Sequence, residues 1–176
     1  MRKKEQGNCF RNKAGFFIVS IAGCICHFLY ELSGGCIILA PFVPVNESIW
    51  EHLKLLFFPY IFYILAEYFL CKAKPRGFLF SSVTGVLCGL VFIPLAFYSY
   101  TSVTGKSIFT ADILIYFAAV LISFRIRSLR ISAGRDKGIM LNISALIIIL
   151  CISALFAGFT FFPPASPLFE SPPVLS

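Results

Sequence analysis

Charge is rationed in this chain: between Gly15 and Phe162 it comes in short intervals, and the stretches between are apolar over about a bilayer's width. Runs of this kind leave few folds open. A water-soluble domain of 176 residues could not hide so much apolar surface, because its exterior must be wetted by polar groups. With 59% of residues hydrophobic, 13% charged and a mean hydropathy of +0.88, lipid is the natural solvent. Lipid offers no partner to an unpaired backbone N–H or C=O, so each run must be continuous helix. The expected fold class is all-α, an integral membrane bundle of five transmembrane helices.

Glycine, proline and charge mark the boundaries. They predict spans at about 15–33, 53–71, 78–98, 111–124 and 139–162, together a transmembrane domain over 15–162. A basic cytoplasmic N-terminus, 1–14, precedes it. A Pro-rich extracytoplasmic tail, 163–176, follows, extended at or beyond the lipid surface. Gly34-Gly35 stops the first span. Thr110 reads as the N-cap of the fourth, with Asp112 in its first turn. Ser81, Gly85 and Gly89 recur every four residues on the third, a stripe that lets another helix approach closely. Pro59 and Pro94 should kink the second and third spans. The seven cysteines form no CxxC pair and read as small buried hydrophobes.

Basic residues supply the orientation. Of the 15 Lys and Arg, all but Lys54 and Lys106 fall in the N-terminus, the second connection or the fourth connection, which lie on the same side. The positive-inside rule makes that side cytoplasmic, with the C-terminus outside, in the cell membrane. The net charge of +7 is thus a topology and anionic-lipid signal, and membrane lipids, not nucleic acid, are the expected partners. A lipoprotein cleavage site at Ile21-Ala22-Gly23-Cys24 is disfavoured, because the chain stays apolar where a polar tether should begin.

Polar chemistry gathers where the first span ends and the second begins. His27 and Glu31 share a helix face, and Asn46, Glu47, Glu51, His52 and Lys54 follow within one short stretch. Tyr30 stands beside them. Asn46 reads as the N-cap of the second span, with Glu47 and Glu51 favoured at its positive start. Trp50 and Lys54 fit an outer interface, with the ring among headgroups and the ammonium in water. Helix rise puts His27 roughly 9 Å below the outer end and His52 near the surface, a separation that strains a shared metal. Glu67 lies about 21 Å below Leu53, an intramembrane acid that needs a proton or a partner.

Three readings fit this cluster. One is a hydrogen-bonded polar lock between the first two spans, holding them without turnover. Another is ion, proton or small-solute binding or transport through His27, Glu31 and Glu67. The third is a metal-dependent intramembrane hydrolase, with His27, Glu31, Glu51 and His52 as candidate ligands of a divalent metal, the one cofactor considered. No HExxH, phosphate loop or catalytic triad is present, so enzymatic activity is the less favoured expectation.

The runs His27-Phe28-Leu29-Tyr30-Glu31, Pro44-Val45-Asn46-Glu47-Ser48-Ile49-Trp50-Glu51-His52-Leu53-Lys54 and Phe57-Phe58-Pro59 resemble a bacterial family of small multi-pass membrane proteins of unknown function. Glu67-Tyr68, the turn 98–105, Asp112 and Pro163-Pro164 with Pro167-Leu168-Phe169 extend the likeness over nearly the whole chain. The resemblance implies an integral membrane protein of about five helices and assigns no catalytic residue. A small-solute, ion or proton-binding role is the favoured expectation. The alternatives are the hydrolase and a non-catalytic membrane partner or immunity-type protein.

Overall fold

The computed structural model describes residues 2–70, 77–134 and 138–170, with side chains from Asn12 onward. It is all-helical: α1 (Arg2–Leu32), α2 (Ile49–Leu70), α3 (Phe78–Thr104), α4 (Phe109–Ala133) and α5 (Ile139–Phe161). All five are long and apolar enough to cross a membrane. The end of the bundle where α1, α3 and α5 finish and α2 and α4 begin is termed the distal end.

The central rod is α2. Every residue from Leu53 to Ile61 is buried, so the helix is wrapped on all sides over more than two turns. A helix apolar all round belongs in such a position. By contrast, α5 buries only Ala145 and Phe156 and leaves the rest of its apolar surface to lipid. Pro59 sits inside α2 and Pro94 inside α3, as expected. Having no N–H, Pro59 cannot bond the Leu55 carbonyl one turn back. α1 passes over that carbonyl at Gly23, where a Cβ would lie 2.7 Å from it. The same space admits the Tyr116 hydroxyl from α4, which donates to the Val19 carbonyl at 3.0 Å.

The stripe of small residues does what its spacing implies. A Cβ on Gly85 would lie 2.3 Å from the Ser123 carbonyl, and one on Gly89 would lie 2.9 Å from the Ala119 carbonyl. Ser81 is fully buried. α3 and α4 therefore pack backbone against backbone. Gly34 (φ 70°) and Gly35 (φ 77°) end α1 in left-handed geometry, their N–H groups returning to Glu31 and Tyr30.

Several boundaries differ from expectation, each for a local reason. α1 runs back to Arg2, because charge ended the apolar run without ending the helix. α4 continues through Arg125, Arg127 and Arg130 to Ala133, so these arginines do not belong to a connection. Arg127 is buried, its Nη2 2.6 Å from Glu67 Oε2 and its guanidinium 4.7 Å from the Phe78 ring centre. That contact answers the demand for a partner at Glu67; Lys72, the other candidate, lies outside the described residues. The N-cap of α4 is Ile108, without a side-chain cap, and Thr110 falls inside the helix. Of the cysteines whose side chains are described, Cys24 and Cys151 are exposed and Cys26, Cys36 and Cys88 half-buried, because lipid can cover an apolar side chain as protein does.

The tail is not extended away from the bundle over its described part. The Leu168 carbonyl accepts from the Trp50 backbone N–H at 3.0 Å, and Phe169 packs with its ring centre 5.0 Å from that of Trp50. Trp50 thus lies among Phe156, Phe159 and Phe169.

The α3–α4 contact yields a direct test. Gly85→Ala should cost about 1–3 kcal/mol, since the obstructing atom is backbone and cannot swing aside. Gly158→Ala on α5, where nothing lies within 4 Å of the added carbon, should cost nothing. Thermal unfolding of both variants in detergent checks this; equal melting temperatures would mean that α3 and α4 are not in backbone contact.

Candidate functional site

The site begins with how α2 starts. Asn46 Oδ1 accepts the Ser48 N–H at 2.9 Å, forming a turn that turns Ser48 toward the helix. Ser48 Oγ then accepts the Glu51 N–H at 3.3 Å, and the Ser48 carbonyl accepts the His52 N–H at 3.1 Å. Ser48, not Asn46, is therefore the N-cap. Its spacing to Glu51 is that of a capping box, a signal present in the sequence. Glu51 does not close that box, because its carboxylate is engaged elsewhere.

Two polar groups diverge from this start, on different faces of α2. The first is a buried lock. Lys54 is fully buried, and its Nζ reaches Glu51 Oε2 at 2.6 Å, Thr160 Oγ1 at 2.5 Å, the Ala40 carbonyl at 2.9 Å and the Val43 carbonyl at 3.3 Å. Glu51 Oε2 also accepts the Val45 N–H at 2.9 Å, and Oε1 lies 3.1 Å from the Thr160 hydroxyl. The expectation of an ammonium in water at Lys54 is thus corrected. Carbonyls of the 36–48 segment, which has no helix to bond them, draw the ammonium inward. The lock joins that segment and α2 to α5 as well as to each other.

The second group is His27, Glu47 and His52. One ligand atom from each lies within 4.8 Å of the other two. The imidazole centres are 5.3 Å apart, and His52 Nε2 is 3.4 Å from Glu47 Oε2. His52 Nδ1 is 2.9 Å from the Ser48 carbonyl, which can only accept, so Nδ1 carries a proton. His27 Nδ1 is buried and has no hydrogen-bond partner among the described residues. The hydrogen bond from His52, aided by the charges of both imidazoles, holds the Glu47 carboxyl below its usual range despite partial burial. Asp112 stands near enough for its charge to act on His52, and is itself held by the Tyr100 hydroxyl and by Ser107 Oγ at 3.1 Å.

The estimated depth gap between the histidines is corrected. α2 starts at Ile49, four residues earlier than expected, so His52 lies roughly 4.5 Å inside it. His27 lies roughly 7.5 Å inside the end of α1 at Leu32, which leaves a gap that side chains bridge. Of the other expected ligands, Glu51 is committed to Lys54, and Glu31 is exposed and outside the three-residue group. Tyr30 is half-buried and supports the turn through its carbonyl, which accepts from Ser33 Oγ at 2.7 Å. Thr160 was missed altogether: a threonine in an apolar run, 106 residues from Lys54, carries no local signal.

Because the lock is buried, breaking it on one side strands a charge. Lys54→Met should destabilise the protein by about 3–5 kcal/mol, and Glu51→Gln combined with Lys54→Met by distinctly less. Chemical unfolding in detergent reads both. If the double variant were as unstable as the single one, pairing between these side chains would not be what holds them there.

No curated protein and no solved structure matches this chain. A family model does, from residue 5 to residue 172, and it is described as a family of unknown function, DUF6512. A match of that extent covers α2 to α5, all of α1 but its first three residues and the whole distal end, and the chain belongs to the DUF6512 family.

Proposed function

We propose that this protein is a cation-binding protein of a bacterial cell membrane, with its N-terminus in the cytoplasm, its C-terminus outside and its binding site at the outer end of α1 and α2. One observation carries the reading: His27, Glu47 and His52 converge from separate segments until their ligand atoms lie within 4.8 Å of one another. Holding a carboxylate against two imidazoles at a membrane boundary stabilises a positive charge placed between them. The basic N-terminus and the arginines at the far end of α4 support the sidedness. The polar-lock reading keeps its own residues, Glu51, Lys54 and Thr160, whose hydrogen bonds go to one another and to backbone carbonyls. Proton or ion handling at Glu67 is not part of the proposal, because Arg127 neutralises that carboxylate.

Two measurements test this. Melting of the full chain in detergent should rise with at least one cation from a panel of protons, Na+, Ca2+, Mg2+, Mn2+ and Zn2+, and Glu47→Gln should abolish the rise. No stabilisation by any of them would end the reading. A periplasmic reporter enzyme fused after Ser176 should be active and a cytoplasmic one silent; the reverse pattern would place the site on the cytosolic side.

A further inference from the structure

Resting on that reading, we infer that the bound cation is a divalent transition metal of the zinc class, held by His27, Glu47 and His52 with one coordination position left open. The donor set argues the class. Two imidazole nitrogens and one carboxylate suit zinc and its neighbours, whereas calcium and magnesium take oxygen ligands almost alone. Two details of the site favour ligation. His52 has its Nδ1 proton fixed on the Ser48 carbonyl, the outer hydrogen bond that metal-bound histidines characteristically make, and its Nε2 faces Glu47. His27 keeps a buried ring nitrogen with no hydrogen-bond partner among the described residues, an arrangement that costs free energy until something engages the ring.

The open position follows from the count. Among the described residues no fourth His, Cys, Asp or Glu joins the three. The site is also reached from outside, with the His52 side chain 31% and the Glu47 side chain 59% exposed. Structural zinc sites close with four protein ligands, whereas three ligands with a solvent-facing fourth position belong to sites where the metal acts on a substrate oxygen. The ligand class expected there is a water or a small anionic oxygen donor arriving from the aqueous side.

Cobalt substitution decides both parts. The full chain in detergent, stripped with EDTA and reloaded, should take up roughly one Co2+ per chain and show the intense visible bands of a four-coordinate site. Acetohydroxamate, a small oxygen chelator, should shift those bands. Glu47→Gln and His52→Gln should lower cobalt affinity at least tenfold while both variants retain the wild-type helical spectrum. Absence of stoichiometric Co2+ or Zn2+, or weak six-coordinate bands, overturns the metal class; bands indifferent to acetohydroxamate overturn the open position. Stabilisation by Ca2+ or by protons alone, lost in Glu47→Gln, would sink this inference and leave the cation-binding reading standing.

Discussion

Backbone that leaves helical geometry while buried must have its carbonyls bonded by something other than water, and the ammonium of Lys54 does that here for Ala40 and Val43. The segment between α1 and α2 spends its carbonyls at Ala40 and Val43 on this group, and Glu51 and Thr160 complete its coordination. Remove it and three things lose their registration at once: the connecting segment, the start of α2 and the end of α5. Glu47 rides on that segment, four residues beyond Val43. The position of the proposed metal ligand therefore depends on a lysine that does not touch the site.

The same logic recurs at the other end of the bundle with a different pair. Glu67 and Arg127 come from α2 and α4 and neutralise each other in apolar surroundings, with aromatic rings from Phe78 and Phe124 against the guanidinium. An unpaired charge there would be costly, and a paired one holds two helices in register. Between the two ion pairs, the α3–α4 contact relies on glycine and serine, since lipid gives helices no hydrophobic reason to associate and close packing must supply it. α2 is thus fastened to α5 and the connecting segment at the distal end and to α4 at the other, and α1 leans on it at Gly23.

Legibility in the sequence followed the range of the interaction. Helix number, the glycine stop after α1 and the small-residue face of α3 were readable because each is a local pattern with one physical meaning. Boundaries erred wherever charge was taken as the end of a helix: Arg125, Arg127 and Arg130 sit in helix because a basic side chain interrupts apolarity without breaking backbone hydrogen bonds. The N-cap was misplaced by two residues, since both Asn46 and Ser48 are good caps and only the turn between them decides which is used. The sequence pointed to one polar set, His27, Tyr30, Glu31, Asn46, Glu47, Glu51, His52 and Lys54, without Thr160. Their division into a lock and a three-residue cluster was not legible, because it depends on partners as remote as Thr160 and on the face each residue presents.

What the sequence by itself determined was medium and class: apolar runs of this length have no stable state but helices in lipid, whatever their arrangement. It also determined where polar chemistry would concentrate, because a chain with so few ionisable groups places them where they can be solvated or paired. Only the tertiary structure decided who pairs with whom. Glu51 takes a lysine one turn away and a threonine on the last helix, while Glu47 takes His52 and stands near His27 on another helix. Adjacent residues on a helix point about 100° apart, and the element packed on each side, which no local pattern records, sets the chemistry each one meets.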